Sequence, residues 1–528
     1  MRLAHRSPAL RLLSGLALCA QILLPGLADG RSPPRDDKEE RHPYKMAAPS
    51  PAAYSFSADL EMGATPGGAQ DISYFRDRVA AGEVPHANTF TPEGLFSEHD
   101  LPLTTRSKCT QTLCATGEAM ASALLVQPEV RYLAQLGFSS GLDPKTFKRS
   151  PVHLVAVIDK SGSMSGQPLE LVKESLLKVL SQLNPDDELS IVLYGDRSHV
   201  YMQPTAVRDR PAIARQIQGI ASAGSTNMEE GLAVGFSLAS AHKFAGTTRV
   251  MLFTDERPNV GRTDAQSFMG MARDASRSGV GMTTVGVGVQ FGAELATAIS
   301  SVRGGNLFFF PDAQKMQKVF EDEFDTMVTE LAHDMQLELR PAKGLKIAGV
   351  YGIPGKALKW IDGGAISLSI ETIFLSRKKG AIYIALSSDT GPGLPETQVA
   401  LGAAVANVKL DYRERAGQQI RSQVALTTVT PAAASLGLVR GRLLVDQSTS
   451  LTRAATLHHE KNDQEGAYQA VHTLASIYRQ TQDPTLADER TLVFNLERTL
   501  AKLSGHAGEP SSPVAGIDRI SGLPLRTN

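Results

Sequence analysis

The pattern of apolar and polar positions changes period along this chain. Between residues 151 and 330, short apolar runs alternate with segments of helical spacing. His153-Leu154-Val155-Ala156-Val157-Ile158 is apolar almost throughout, as a parallel strand buried on both faces must be. Leu189 to Tyr194, Arg249 to Thr254 and Met282 to Val289 repeat the theme. Between the first two, Leu169, Val172, Leu176, Val179 and Leu183 fall on one helical face. Pro168 stands at the start of that helix, where its missing N–H costs nothing. Thr263 and Gln266 have the spacing of a capping box for a later helix. This alternation predicts an α/β domain, doubly wound, with a mostly parallel sheet and helices on both faces.

Over residues 335–430 the period becomes two. Met335 to Leu339, Ile366 to Ile370 and Ala381 to Ala385 alternate, and Val408–Arg413 with Ile420–Leu426 read as a hairpin around Ala416-Gly417-Gln418-Gln419. A β-rich, sandwich-like module is expected there. From Pro431 to Ser504 helical spacing returns, and a bundle of three or four helices is expected, with 505–528 as a tail. Upstream, Ile72, Phe75, Val79 and Ala80 predict a short helix ending at Gly82, and a second helix is expected over Thr116 to Leu125. Residues 56–150 therefore read as a separate accessory region. Residues 29–55 are rich in charge, Pro, Ala and Ser, and read as a disordered leader.

Composition adds little about partners. The chain has 528 residues with 54 basic and 55 acidic side chains, a net charge of -1, so bulk charge points to neither nucleic acid nor an anionic membrane. The N-terminus says more. Arg2, Arg6 and Arg11 precede an apolar stretch from Leu12 to Leu27, and Gly26-Leu27-Ala28 has the small residues of a secretory cleavage site after Ala28. Two alternatives stay open. A membrane anchor there would carry Ser14, Gly15, Gln21 and Pro25, which make a poor span. Lipidation at Cys19 would want a small residue where Leu18 stands. The expected mature protein is exported, to the periplasm or beyond, without a stable membrane span. It keeps Cys109 and Cys114, for which a short-loop disulfide is expected in an oxidising compartment, with free thiols as the alternative.

The chemistry concentrates at strand ends. Asp159-Lys160-Ser161-Gly162-Ser163 follows the first buried strand, at the carboxyl edge where ligands bind in parallel α/β sheets. Gly224-Ser225-Thr226-Asn227 lies in a second loop before a helix, and Thr254-Asp255 ends another buried strand. Asp159, Ser161, Ser163 and Thr226, with Asp255 reachable directly or through water, make a cage of hard oxygen donors. Such a cage suits Mg²⁺, and also Mn²⁺ or Ca²⁺, and does not suit zinc or copper.

These three segments, in this order, resemble the metal-ion-dependent adhesion site of the von Willebrand factor type A domain, a Rossmann-like fold. The resemblance implies a metal held by Asp159, Ser161, Ser163 and Thr226, with Asp255 usually acting through water. It also implies an open coordination position that an Asp or Glu of a protein partner fills. Glu256 departs from the pattern, since many members have Gly there. Phe75-Arg76, Gly82-Glu83-Val84-Pro85 and Pro92-Glu93-Gly94-Leu95-Phe96, with Ala332-His333-Asp334-Met335-Gln336-Leu337 downstream, resemble exported bacterial type A proteins of the YfbK-like kind. Inter-alpha-trypsin inhibitor heavy chains and calcium-channel accessory subunits share the domain and an adjoining β-module.

Other motifs read more plainly as structure. Gly162-Ser163-Met164-Ser165-Gly166 is not a nucleophile elbow, and Ser175 and Lys178 lie on one helix face. His458-His459-Glu460 lacks metalloprotease spacing. Asp186-Asp187-Glu188 is expected to be a solvated turn, Phe308-Phe309-Phe310 a buried strand end and Trp360 a core residue. The resulting expectation is a non-enzymatic, metal-dependent adhesion or scaffolding protein. A structural envelope protein and an enzyme accessory subunit stay open.

Overall fold

In the computed structural model the described residues are 62–506, apart from 68–71, 104–107, 226, 256–264, 288–301, 303, 311–312, 354–357, 390–397 and 416. The chain opens with β1 (Met62–Pro66), α1 (Ser73–Ala80), α2 (Pro92–Ser97), β2 (Cys114–Ala121) and β3 (Val130–Ser140). The α/β segment follows: β4 (Val152–Asp159), α3 (Gln167–Gln182), β5 (Glu188–Tyr194), β6 (His199–Ala206), α4 (Arg210–Gln218), α5 (Met228–Ala241), β7 (Thr247–Thr254), α6 (Ala265–Arg277), β8 (Val280–Val287), β9 (Gly305–Phe310) and α7 (Ala313–Met327). Next come β10 (Glu330–Pro341), β11 (Leu345–Tyr351), β12 (Leu358–Ile361), β13 (Ala365–Ser376), β14 (Ala381–Ser388), β15 (Ala404–Glu414) and β16 (Gln419–Val429). Three helices complete it, α8 (Leu436–His459), α9 (Gln464–Gln480) and α10 (Ala487–Ser504). Among the described residues no helix is long and apolar enough to cross a membrane.

The α/β segment carries a six-stranded sheet in the order β6-β5-β4-β7-β8-β9. Every neighbouring pair is parallel except β5 with β6. Side chains alternate across a strand, so β4 feeds two cores. Leu154, Ala156 and Ile158 join α3, α4 and α7, whereas Val155 and Val157 join α5 and α6. The stripe foreseen on α3 is the buried one: Leu169, Val172, Leu176, Val179 and the following Leu183 all lie in the first of these cores. Each such side chain contributes roughly 1.5–3 kcal/mol by leaving water.

The second sheet differs from expectation in extent and closure. It draws strands from both sides of the α/β segment, in the order β1-β13-β10-β15-β16-β2-β3-β14-β11. β1 pairs with both β13 and β3, closing a hydrogen-bonded circuit of seven strands rather than two stacked layers. Closure removes free edges from the circuit, while β14, β11 and β12 branch from it. β1, β2 and β3 are thus strands of this barrel, residues 62–140 are not a separate accessory region, and the α/β domain is inserted between β3 and β10. The segment read as a helix over Thr116–Leu125 contains β2 instead. Its Ala, Glu and Met favour helix, but β2 pairs with β3 along its whole length and with β16 in parallel, and tertiary pairing overrides propensity. A Cβ on Gly117 would come within 2.3 Å of Leu426, so the strand needs glycine where β16 crosses.

β14 shows how the third layer attaches. Ile382, Ile384 and Leu386 point into the barrel core, while Ala381, Tyr383 and Ala385 pack outward against the C-terminal helices. The Tyr383 hydroxyl donates to the Gly437 carbonyl at 2.8 Å, and its ring leaves no room for a Cβ at Gly441. α1 and α2 join this layer. Glu489 of α10, fully buried, pairs with Arg76 of α1, accepts from Gln447 at 2.5 Å and lies 3.0 Å from His99 Nε2.

Buried charge braces the inserted domain, and one pair, Arg249 with Glu330, ties it to the barrel. Arg149 donates to both oxygens of Asp187 at 2.8 and 2.5 Å and to Asp325 at 2.6 Å. Asp187 further accepts from the backbone N–H groups of Val152 and Asn184. The acidic turn is therefore not uniformly solvated, because Asp187 is fully buried and four donors converge on it. Arg249, also fully buried, pairs with Glu330 and donates to Thr283 Oγ1 and the Gly304 carbonyl, each at 2.9 Å. Trp360 departs from expectation too: it lies 65% exposed on β12, which pairs with β13. Ser175 donates to the Leu171 carbonyl and Lys178 pairs with Glu321, both ordinary helix-face contacts.

Candidate functional site

Three chain segments meet at the carboxyl edge of the six-stranded sheet. β4 ends on Asp159, β7 ends one residue before Asp255, and the loop before α5 carries Gly224 and Ser225. Backbone bonds fix the first loop against its neighbours. Lys160 donates its N–H to the Tyr194 carbonyl at 3.0 Å, Ala223 donates to the Lys160 carbonyl at 2.6 Å, and Gly162 donates to the Gly224 carbonyl at 3.0 Å. Gly224 adopts φ +90°, and a Cβ there would meet the Asp196 carboxylate at 2.7 Å. Asp196 accepts from the Ser225 N–H at 2.8 Å and from its hydroxyl at 2.7 Å, which holds that carboxyl below its usual range. Asp196 thus positions the second loop. Sequence reading passed over it because nothing in its local spacing links it to a loop 29 residues later.

The oxygen atoms converge. Asp159 is fully buried, and one carboxylate oxygen accepts the Ser161 N–H at 2.8 Å while the other faces Thr254 Oγ1 at 3.3 Å. Burial pushes the Asp159 carboxyl up, opposed by its hydrogen bonds with Ser161 and Thr254. The Tyr194 hydroxyl, buried beside it, is driven well above its ordinary range and stays protonated. Ser161 Oγ and Ser163 Oγ lie 2.9 Å apart, and Ser163 Oγ donates to Asp255 Oδ1 at 3.0 Å. Four of the five foreseen side chains are therefore neighbours. Thr226 and Glu256 lie outside the described residues, as do Ala28, Cys19 and Thr263. Burial is graded: Asp159 and Ser161 form a floor, Asp255 is half-buried and Ser163 is exposed.

The donor chemistry fits a small divalent cation. Mg²⁺ binds oxygen at 2.0–2.1 Å with octahedral angles, so adjacent ligand oxygens stand about 2.9 Å apart. The hydroxyl pair of Ser161 and Ser163 already has that separation.

Comparison with known proteins settles the domain. The family model described as von Willebrand factor type A domain matches residues 153–322. These residues form a von Willebrand factor type A domain. The chain is similar to the uncharacterized protein sll0103 of Synechocystis, 27% identical over 63% of this chain and 73% of that protein. It is also similar to the uncharacterized protein YfbK of Escherichia coli, 31% identical over 38% of this chain. That match spans 36% of YfbK, about a third of its length. Among solved structures, a von Willebrand factor type A protein from Catenulispora acidiphila is similar at 14% identity, covering 76% of this chain and 89% of that one, with a TM-score of 0.43.

Cys109 and Cys114 are joined in a disulfide, with Cα atoms 5.8 Å apart, just before β2 and at its first residue. It lies on the barrel and not at the type A loops.

Proposed function

We propose that this is an exported binding protein whose type A domain holds a divalent cation between Asp159, Ser161, Ser163, Thr226 and Asp255 and uses it to grip an acidic side chain of a protein partner. The reading makes the site a metal-ion-dependent adhesion site and the chain a non-enzymatic adhesion or scaffolding protein. Mg²⁺ is the favoured ion, with Mn²⁺ and Ca²⁺ as the other hard cations that such donors accept. The observation that carries it is the meeting of Ser161, Ser163 and Asp255 oxygens above the buried Asp159.

The division of labour follows from charge and exposure. Asp159 supplies fixed negative charge, and its Ser161 N–H bond orients one oxygen toward the loop. The serine hydroxyls are neutral donors, so a bound dication keeps net positive character, and at the exposed rim beside Ser163 it would attract a carboxylate. A carboxylate on a metal in a partly desolvated cleft gains more than one in a surface ion pair, which is worth about 0–1 kcal/mol. Export is supported by the basic-apolar N-terminus ending at Ala28 and by the Cys109–Cys114 disulfide, a bond that persists in oxidising compartments.

Affinity capture with the full chain, run with Mg²⁺ or with EDTA, tests the reading. The expected result is one partner retained in Mg²⁺, released by EDTA and lost with Ser163→Ala. A partner held equally by the unaltered chain and Ser163→Ala in both conditions would remove the metal bridge from the account.

A further inference from the structure

The opposite edge of the type A sheet carries a second constellation. His153 near the start of β4 is in register with Glu188 at the start of β5, and His242 follows the C-terminal end of α5. One ligand atom from each lies within 4.8 Å of the others. We propose that His153, Glu188 and His242 form a second cation site, selective for a transition metal of the Zn²⁺ class.

The donor set separates this site from the oxygen cage. Imidazole nitrogens suit zinc, copper, nickel and iron, whereas Mg²⁺ and Ca²⁺ prefer oxygen throughout. Two histidines and one carboxylate with an open fourth position are a recognised zinc arrangement. His153 is fully buried, and its Nε2 lies 2.7 Å from Ser190 Oγ on the neighbouring strand. Among the described residues its Nδ1 is buried with no hydrogen-bond partner. An Nε2–H donated to Ser190 leaves the lone pair on Nδ1. Metal-ligating histidines are held in this way, with the remote ring nitrogen donating to a fixed acceptor.

An ion pair alone explains less. His242 Nε2 and Glu188 Oε2 stand 2.5 Å apart, which satisfies those two groups. It leaves His153 Nδ1 desolvated and, among the described residues, unpaired, a cost that a metal would relieve. Zinc needs donor atoms about 3.3 Å apart for a tetrahedron with Zn–N of 2.0–2.1 Å. Glu188 and His242 are half-buried and able to rotate into that spacing, while His153 stays fixed on its strand. Their partial exposure also gives the ion a route in from solvent.

Cobalt(II) titration of the untagged full chain, followed by visible absorption in saturating Mg²⁺, tests the site. The expected result is one equivalent of Co²⁺ with ligand-field bands of an imidazole-bound ion, unchanged in Asp159→Ala. His242→Ala and Glu188→Gln, both at half-buried positions and checked for folding by circular dichroism, should weaken binding by at least about 10–100-fold, and Ser190→Ala by about that range. Absence of Co²⁺ uptake would overturn the proposal. So would equal affinity in the unaltered chain, His242→Ala and Glu188→Gln.

Discussion

Arg149 makes two ion pairs of similar length and very different surroundings, and this allows burial to be separated from contact. Asp187 is fully buried at 2.5 Å from the guanidinium, and Asp325 lies at 2.6 Å with its side chain 49% exposed. In Asp187→Asn the shape is kept but the charge is lost. The new amide would face Arg149 or the N–H groups of Val152 and Asn184, all of which are donors. Removing one partner of a buried pair costs about 3–5 kcal/mol, because the remaining charge is left desolvated. Asp325→Asn breaks an equally short contact in water-accessible surroundings, where a pair is worth about 0–1 kcal/mol. For a domain of this size, each kcal/mol corresponds to about 2–4 °C in Tm, so the two variants should differ by roughly 4–20 °C. Thermal unfolding followed by circular dichroism, with and without Arg149→Met in each background, reads this directly. The double variant Arg149→Met/Asp187→Asn should cost less than the sum of its parts. Equal Tm losses for Asp187→Asn and Asp325→Asn, or a loss under about 1 kcal/mol for Asp187→Asn, would refute the argument from burial.

Two further outcomes follow from other parts of the chain. Burial pushes Glu93 up to about 7, above its ordinary value of about 4.3, so the folded state holds a proton that the unfolded state has released between those pH values. Stability from this group is complete below the unfolded value and is lost as pH rises toward 7, on the order of 3 kcal/mol in total. Glu93→Gln should flatten that part of the pH–stability curve, and an unchanged slope would contradict it. The Cys109–Cys114 disulfide closes a very short loop, for which chain entropy gives about 2 kcal/mol. The double variant Cys109→Ser/Cys114→Ser should lose that much in denaturant unfolding, and reductant should then have no further effect.

What the sequence made legible was local. The buried strands of the type A domain appear as apolar runs because both faces of β4 meet hydrophobic cores, and the β15–β16 hairpin appears because its two strands are adjacent in the chain. The oxygen cage was legible because strand ends in a parallel sheet share one edge, which brings Asp159 and Asp255 together. Barrel closure was not legible. Alternation in β13 says that it has two faces, but nothing in it names β1, more than three hundred residues away in the chain. The insertion of one domain into another was hidden for the same reason. Charge misled where the compensating partner was remote: Asp187 reads as surface until Arg149 is placed beside it. Alanine-rich β2 misled because its propensity is helical while its pairing is not.

The central claim is that the loops after β4 and β7 hold a cation, and a thermal-melt series tests it most directly. The full chain is stripped with EDTA, exchanged into buffer and titrated with Mg²⁺, alongside Asp159→Ala and Ser163→Ala, with His242→Ala as a control for the opposite edge of the sheet. A ligand that binds only the native state at 100 times its Kd adds about 2.7 kcal/mol. The unaltered chain and His242→Ala should therefore rise in Tm with Mg²⁺, while Asp159→Ala and Ser163→Ala stay flat. Identical Mg²⁺ responses from all four proteins would contradict the claim.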